Sequence, residues 1–127
     1  MKNLVITKTK RTPEIIFKTS GELMIKGRSL PEDVINFYKP VLTWLEEFKL
    51  TAPEKVTLTI DFSYLSTSTA RIALEILRTI TSIENSNTTI NWLYEEEDID
   101  MREQGEILQS SIKKSFEFLE KQTVLVK

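Results

Sequence analysis

From Lys55 to Phe62 the chain alternates: Val56, Leu58, Ile60 and Phe62 are apolar, while Lys55, Thr57, Thr59 and Asp61 between them are polar. That period of two is what a strand with two unlike faces requires. Beyond it Ala70, Ala73, Leu74, Leu77 and Ile80 recur at helical spacing, to about Glu84. The change of period falls on Ser66, Thr67, Ser68 and Thr69, four consecutive hydroxyl residues that the pattern therefore places at a helix N-terminus.

The same reading extends along the chain. Leu4 to Ile6 predicts a short edge strand, stopped by Thr12-Pro13. Glu14 to Thr19 and Glu22 to Gly27 predict two strands joined at Ser20-Gly21 as a hairpin. Ser29 to Asp33 has the chemistry of a helix start: Ser29 or a neighbour as the cap, Pro31 with its φ already set, and carboxylates suited to the positive end of the dipole. Val34, Phe37, Tyr38, Val41, Leu42, Leu45 and Phe48 then form one apolar stripe. Pro40 predicts a kink or a break into two short helices, and Trp44, off the centre of the stripe, predicts a partly exposed indole.

After a loop at Thr51-Ala52-Pro53 come the central strand and helix, a turn at Asn85 to Asn87, and a strand over Thr89 to Tyr94. Glu95 to Asp98 predicts an exit loop. Asp98 and Asp100 open a helix running to about Ile112, with Met101, Ile107, Leu108 and Ile112 apolar and Gly105 weakening it by about 1 kcal/mol relative to Ala. Phe116 to Leu119 predicts a final strand, and Thr123 to Val126 either extends the sheet or forms a tail. This order argues for one α/β domain over residues 1–127, a mixed sheet with an N-terminal antiparallel hairpin and later parallel strands.

Composition narrows the chemistry. With 127 residues the chain can bury a core without staples, and it has neither cysteine nor histidine. That removes disulfides, Cys/His zinc sites, a thiol nucleophile and the imidazole base of most hydrolases, so no cofactor and no catalytic residue is expected. No apolar run approaches the about 20 residues that span a bilayer, and the first residues are too short and too soon charged for a signal peptide, so a soluble, cytoplasmic protein is expected. A net charge of -2 gives no global attraction to nucleic acid. Cations dominate the first strands, from Lys2 to Arg28, and Glu95 to Glu106 is acidic. That acidic run lacks the ligand spacing and central Gly of a calcium loop, so metal binding or carboxylate catalysis stands only as an alternative.

The hydroxyl run has two uses. A Ser or Thr oxygen can accept from an orphan amide of the first turn, contributing about 1 kcal/mol. Alternatively a hydroxyl there accepts a phosphate, since exposed amides and the dipole suit a dianion.

Three stretches together carry a resemblance that covers nearly the whole chain. They are Ser20-Gly21-x-Leu23-x-Ile25-x-Gly27-x-Ser29-x-Pro31-Glu32, then Asp61-x-x-Tyr64-Leu65-Ser66-Thr67-Ser68, then Trp92-x-Tyr94-Glu95 leading to Asp98-x-Asp100-Met101-x-Glu103-x-Gly105-Glu106. In this the sequence resembles the SiaC family of bacterial regulatory phosphoproteins. The resemblance implies a fold like that of anti-sigma-factor antagonist (STAS) domains and a partner-switching role in biofilm or aggregation control. It further implies a Thr acceptor at the helix start, phosphorylated by an anti-sigma-factor-type kinase and dephosphorylated by a PP2C-type phosphatase. The unphosphorylated form would bind a diguanylate cyclase and raise cyclic di-GMP. The family motif Tyr-Leu-x-Thr-Ser falls on Tyr64 to Ser68, which makes Thr67 the acceptor and Tyr64, Leu65, Ser66, Ser68, Thr69 and Arg71 the partner-facing residues. A constitutive adaptor that is never modified is the remaining alternative. Asp61 is expected to order the bend.

Overall fold

A computed structural model describes residues 1–121, in the order β1 (Leu4–Ile6), β2 (Glu14–Phe17), β3 (Glu22–Ser29), α1 (Val34–Leu50), β4 (Lys55–Leu65), α2 (Thr67–Thr81), β5 (Asn87–Glu95), α3 (Ile99–Ser110) and β6 (Glu117–Lys121). The expectation for Thr123 to Val126 lies outside the described residues. The six strands lie side by side in chain order. β1, β2 and β3 pair antiparallel, and β3 to β6 pair parallel through the three helical crossovers. This is the expected mixed α/β architecture.

Alternation decides which face the helices cover. Ile15 aligns with Ile25, Ile25 with Ile60, Ile60 with Trp92 and Trp92 with Phe118, and this row, with Phe17, Leu58 and Ile90, joins one core with the buried faces of α1, α2 and α3. The alternate residues, Ile16, Met24, Thr59, Asn91 and Leu93, line the other, half-exposed face.

Several local expectations give way to packing. Ser29 does not cap α1: it ends β3, fully buried, and Asp33 caps instead, accepting from the Asn36 amide at 3.1 Å. Pro40 does not break α1 into two short helices: α1 runs unbroken over it. Pro40 and Asn36 both face solvent, so the carbonyl left without its amide partner stays open to water. Trp44 is 7% exposed rather than partly open. Its ring stacks on Phe48 and meets Phe17 edge-on, and its Nε1 donates to the Lys2 carbonyl at 2.8 Å. Ile107, expected among the apolar positions of α3, is exposed.

Gly105 has a packing reason. A Cβ there would lie 2.6 Å from Trp92 Nε1, so the missing side chain lets α3 lie against the indole, whose Nε1 donates to the Met101 carbonyl at 3.0 Å. Helix propensity alone predicts that Gly105→Ala stabilises by about 1 kcal/mol. The contact predicts the opposite sign, a loss of about 1–3 kcal/mol, because a fully buried ring cannot yield that distance cheaply. Urea denaturation distinguishes the two, and an unchanged or raised midpoint rules out the packing role.

Candidate functional site

The site forms where β4 passes directly into α2. Up to Phe62 the strand keeps its period, but the pairing with β3 shifts between Gly27 and Arg28, so that Gly27 aligns with Phe62 and Arg28 with Tyr64. Ser63 is the extra residue of a β-bulge, and Gly27, at φ +125°, takes the left-handed conformation on the opposing strand. Beyond the bulge the faces exchange: Tyr64 turns outward, 49% exposed under the Arg28 guanidinium at 5.9 Å, and Leu65 turns toward the core. One residue later the helix begins.

Ser66 is the N-cap of α2, its Oγ accepting from the Thr69 amide at 3.2 Å. Behind the cap runs a line of hydroxyls: Tyr38 OH to Ser29 Oγ at 2.6 Å, Ser29 Oγ to Thr69 Oγ1 at 2.9 Å, Thr69 Oγ1 to Ser66 Oγ at 2.9 Å, and Ser66 Oγ to Ser68 Oγ at 3.1 Å. Thr69 also donates to the Ser29 carbonyl, which accepts the Ser66 amide as well. The protons fit in one sense: Tyr38 donates to Ser29, Ser29 to Thr69, and Thr69 to the carbonyl. Thus β3, α1 and the first turn of α2 are tied together through buried polar atoms, each of which is costly to leave unpaired.

This sorts the four hydroxyls. Thr67, the first residue of α2, is exposed, and among the described residues it is the one of the four outside the network. Ser68 is exposed but bonded to Ser66. Thr69, expected to face a partner, is 1% exposed and belongs to the interior. Arg71 is exposed one helical turn after Thr67, on the same side of α2. A groove between α1 and α2 adjoins them, lined by Val34, Ile35, Leu42 and Ile72 together with Lys39, Ser68, Arg71 and Glu75.

Ser29 and Tyr38 escaped the sequence reading as members of this site: Ser29 had the look of a cap and Tyr38 that of an ordinary core position. Burial pushes the Tyr38 hydroxyl up to about 12, against a smaller lowering by its bond to Ser29. The folded state therefore holds its proton where the unfolded chain, near pH ~10, has lost it. Stability should fall as pH rises through that window, by up to about 1.4 kcal/mol per pH unit, and Tyr38→Phe should remove this share of the slope. Equal slopes in the two proteins between pH 10 and about 12 would contradict the assignment.

The other expected positions lie elsewhere. Asp61 does not order the bend; 8% exposed, it accepts from Lys121 Nζ at 2.7 Å across the uncovered face. The carboxylates from Glu95 to Glu106 are dispersed: Glu95 lies 3.5 Å from Lys121, Asp98 caps α3 and Glu106 pairs with Arg102. Among the described residues no three carboxylates gather as a metal site. No helix among them is long and apolar enough to cross a membrane.

Comparison with known proteins agrees with this fold. A solved structure of apo-SiaC from Pseudomonas aeruginosa superposes with a TM-score of 0.84 at 24% identity, covering 96% of this chain and all of the other. SiaC in the crystal structure of the P. aeruginosa diguanylate cyclase SiaD with its activator SiaC superposes at 0.82 with 25% identity, covering 91% and 96% of the two chains. An uncharacterized P. aeruginosa protein is 26% identical over 98 residues, 75% of this chain and 78% of that protein. The family model for SiaC family regulatory phosphoproteins matches residues 6–121. The chain belongs to the SiaC family of regulatory phosphoproteins.

Proposed function

We propose that this protein is a non-catalytic partner switch of the cytoplasm whose unmodified form binds and activates a diguanylate cyclase and whose phosphorylation on Thr67 ends that binding. The observation that carries the reading is the exposure of Thr67 at the first position of α2, while Ser66 and Thr69 are committed to the cap and the buried network. A kinase of the anti-sigma-factor type adds the phosphate and a PP2C-type phosphatase removes it, as the family resemblance implies.

The docking surface comprises Tyr64, Ser66, Thr67, Ser68 and Arg71, extended by the adjoining groove between α1 and α2. Leu65 supports it from below and Thr69 fixes its shape. A phosphate brings about 1.5 to 2 negative charges. The helix terminus tolerates them in water, where the dipole and Arg71 favour an anion. Covered by a partner, the same charge must shed its hydration, so modification releases the complex without refolding the domain. The test is a cyclase assay: unmodified protein added to a diguanylate cyclase from the same genome should raise cyclic di-GMP synthesis. A rate unchanged at saturating protein would rule out the activator role.

A further inference from the structure

At the opposite end of the parallel strands, where α2 and α3 end and β5 begins, lies a pocket that the partner switch does not use. It is lined by Arg78, Thr81, Ser82, Ile83, Ser86 and Thr88 on one side and Ser111, Ile112, Lys113 and Lys114 on the other. No carboxylate lines it, and among the described residues none of its three cations forms an ion pair. Among the described residues the Ser86 hydroxyl oxygen beside it is closed to solvent and has no hydrogen-bond partner.

The simplest account of the cations is that they offset the C-termini of α2 and α3, which converge here. Magnitudes argue against it as the whole account. Each terminus carries roughly half a negative charge, about one charge together, against three positive side chains. The last carbonyls are moreover already met: Thr81 Oγ1 donates to the Leu77 carbonyl at 2.8 Å, Ser82 Oγ to that of Thr79 at 2.6 Å, and the Ser82, Ile83, Ser111 and Ile112 amides close both ends. Roughly two positive charges remain, the complement of a phosphate monoester near pH 7. Because Thr81 and Ser82, which line the pocket, spend their protons on carbonyls, their hydroxyl oxygens keep only acceptor capacity, which suits a ligand with hydroxyl donors.

We propose that this pocket binds a small phosphate ester bearing free hydroxyls, of the class of sugar phosphates and nucleotides, with the phosphate held by Arg78, Lys113 and Lys114. The site is separate from Thr67 and stands whether or not that residue is modified. The test is an NMR titration of the full-length ¹⁵N-labelled chain with ribose 5-phosphate, with inorganic phosphate and with ribose, ionic strength being held constant with chloride. Ribose 5-phosphate should give saturable shifts of the Ser86, Ile83 and Ile112 amides with a dissociation constant on the order of 1 mM or tighter. Inorganic phosphate should bind more weakly and ribose should give no saturable shift. The double variant Lys113→Gln, Lys114→Gln, both exposed positions, should weaken ribose 5-phosphate at least tenfold. Shifts that do not saturate, shifts centred on Thr67, or equal affinity in a folded double variant would overturn the proposal.

Discussion

Replacing Thr67 by Glu should weaken binding to the proposed diguanylate cyclase partner by at least tenfold, about 1.4 kcal/mol, while Thr67→Ala should bind as the unmodified protein does. The reasoning is one of solvation. Thr67 is exposed and outside the hydroxyl network, so neither change breaks an internal contact, and both proteins should unfold at nearly the wild-type denaturant concentration. Glu at the start of a helix is locally favourable by about 0.3–1 kcal/mol. Its cost appears only under a partner, where a carboxylate loses water without gaining a matching cation. Isothermal titration of the three proteins against one cyclase measures the difference. Because a carboxylate has less charge than a phosphate, the phosphorylated protein should bind more weakly than the Glu variant. A Glu variant with wild-type affinity favours the constitutive adaptor instead.

The largest effect on stability falls at Trp92. This fully buried ring lies between α3 and the aromatic cluster of the sheet, meeting Phe62 edge-on at 6.1 Å and stacking on Phe116 at 5.9 Å, and its Nε1 bonds to the Met101 carbonyl. Trp92→Ala should cost about 3–5 kcal/mol, a large part of the 5–15 kcal/mol typical of a domain. The partly exposed Leu119, changed to Ala, should stay within about 0.5 kcal/mol of wild type. Urea unfolding of both variants tests the contrast. A Trp92→Ala loss below about 2 kcal/mol would mean that α3 is not held through the indole.

The elements were legible because their periods are clean. β4 and α2 meet at a change from two to 3.6, and hydroxyl residues gather there for reasons any helix start supplies. What the pattern hides is register and distance. The bulge at Ser63 inverts the facing of Tyr64 and Leu65, and no alternation rule locates an extra residue. Thr67 and Thr69 look equivalent along the chain, yet two residues on a helix differ by about 200° of rotation, which sets one in solvent and the other inside. Ser29 resembled a cap, but β3 carries it into the interior, where Tyr38 and Thr69 complete its bonds. Gly105 resembled a weakness until Trp92, 13 residues earlier, was seen to occupy its missing side chain's place. Lys121 reaches Asp61 from 60 residues away, beyond any local signal.

The most direct measurement is the position of the phosphate. After incubation with ATP and the cognate kinase, fragmentation mass spectrometry should find one phosphate, on Thr67, and Thr67→Ala should take up none while Thr69→Ser leaves the modification in place. Phosphate on Ser68 in the wild-type protein, or an undiminished level in Thr67→Ala, would contradict the assignment of the switch to this hydroxyl.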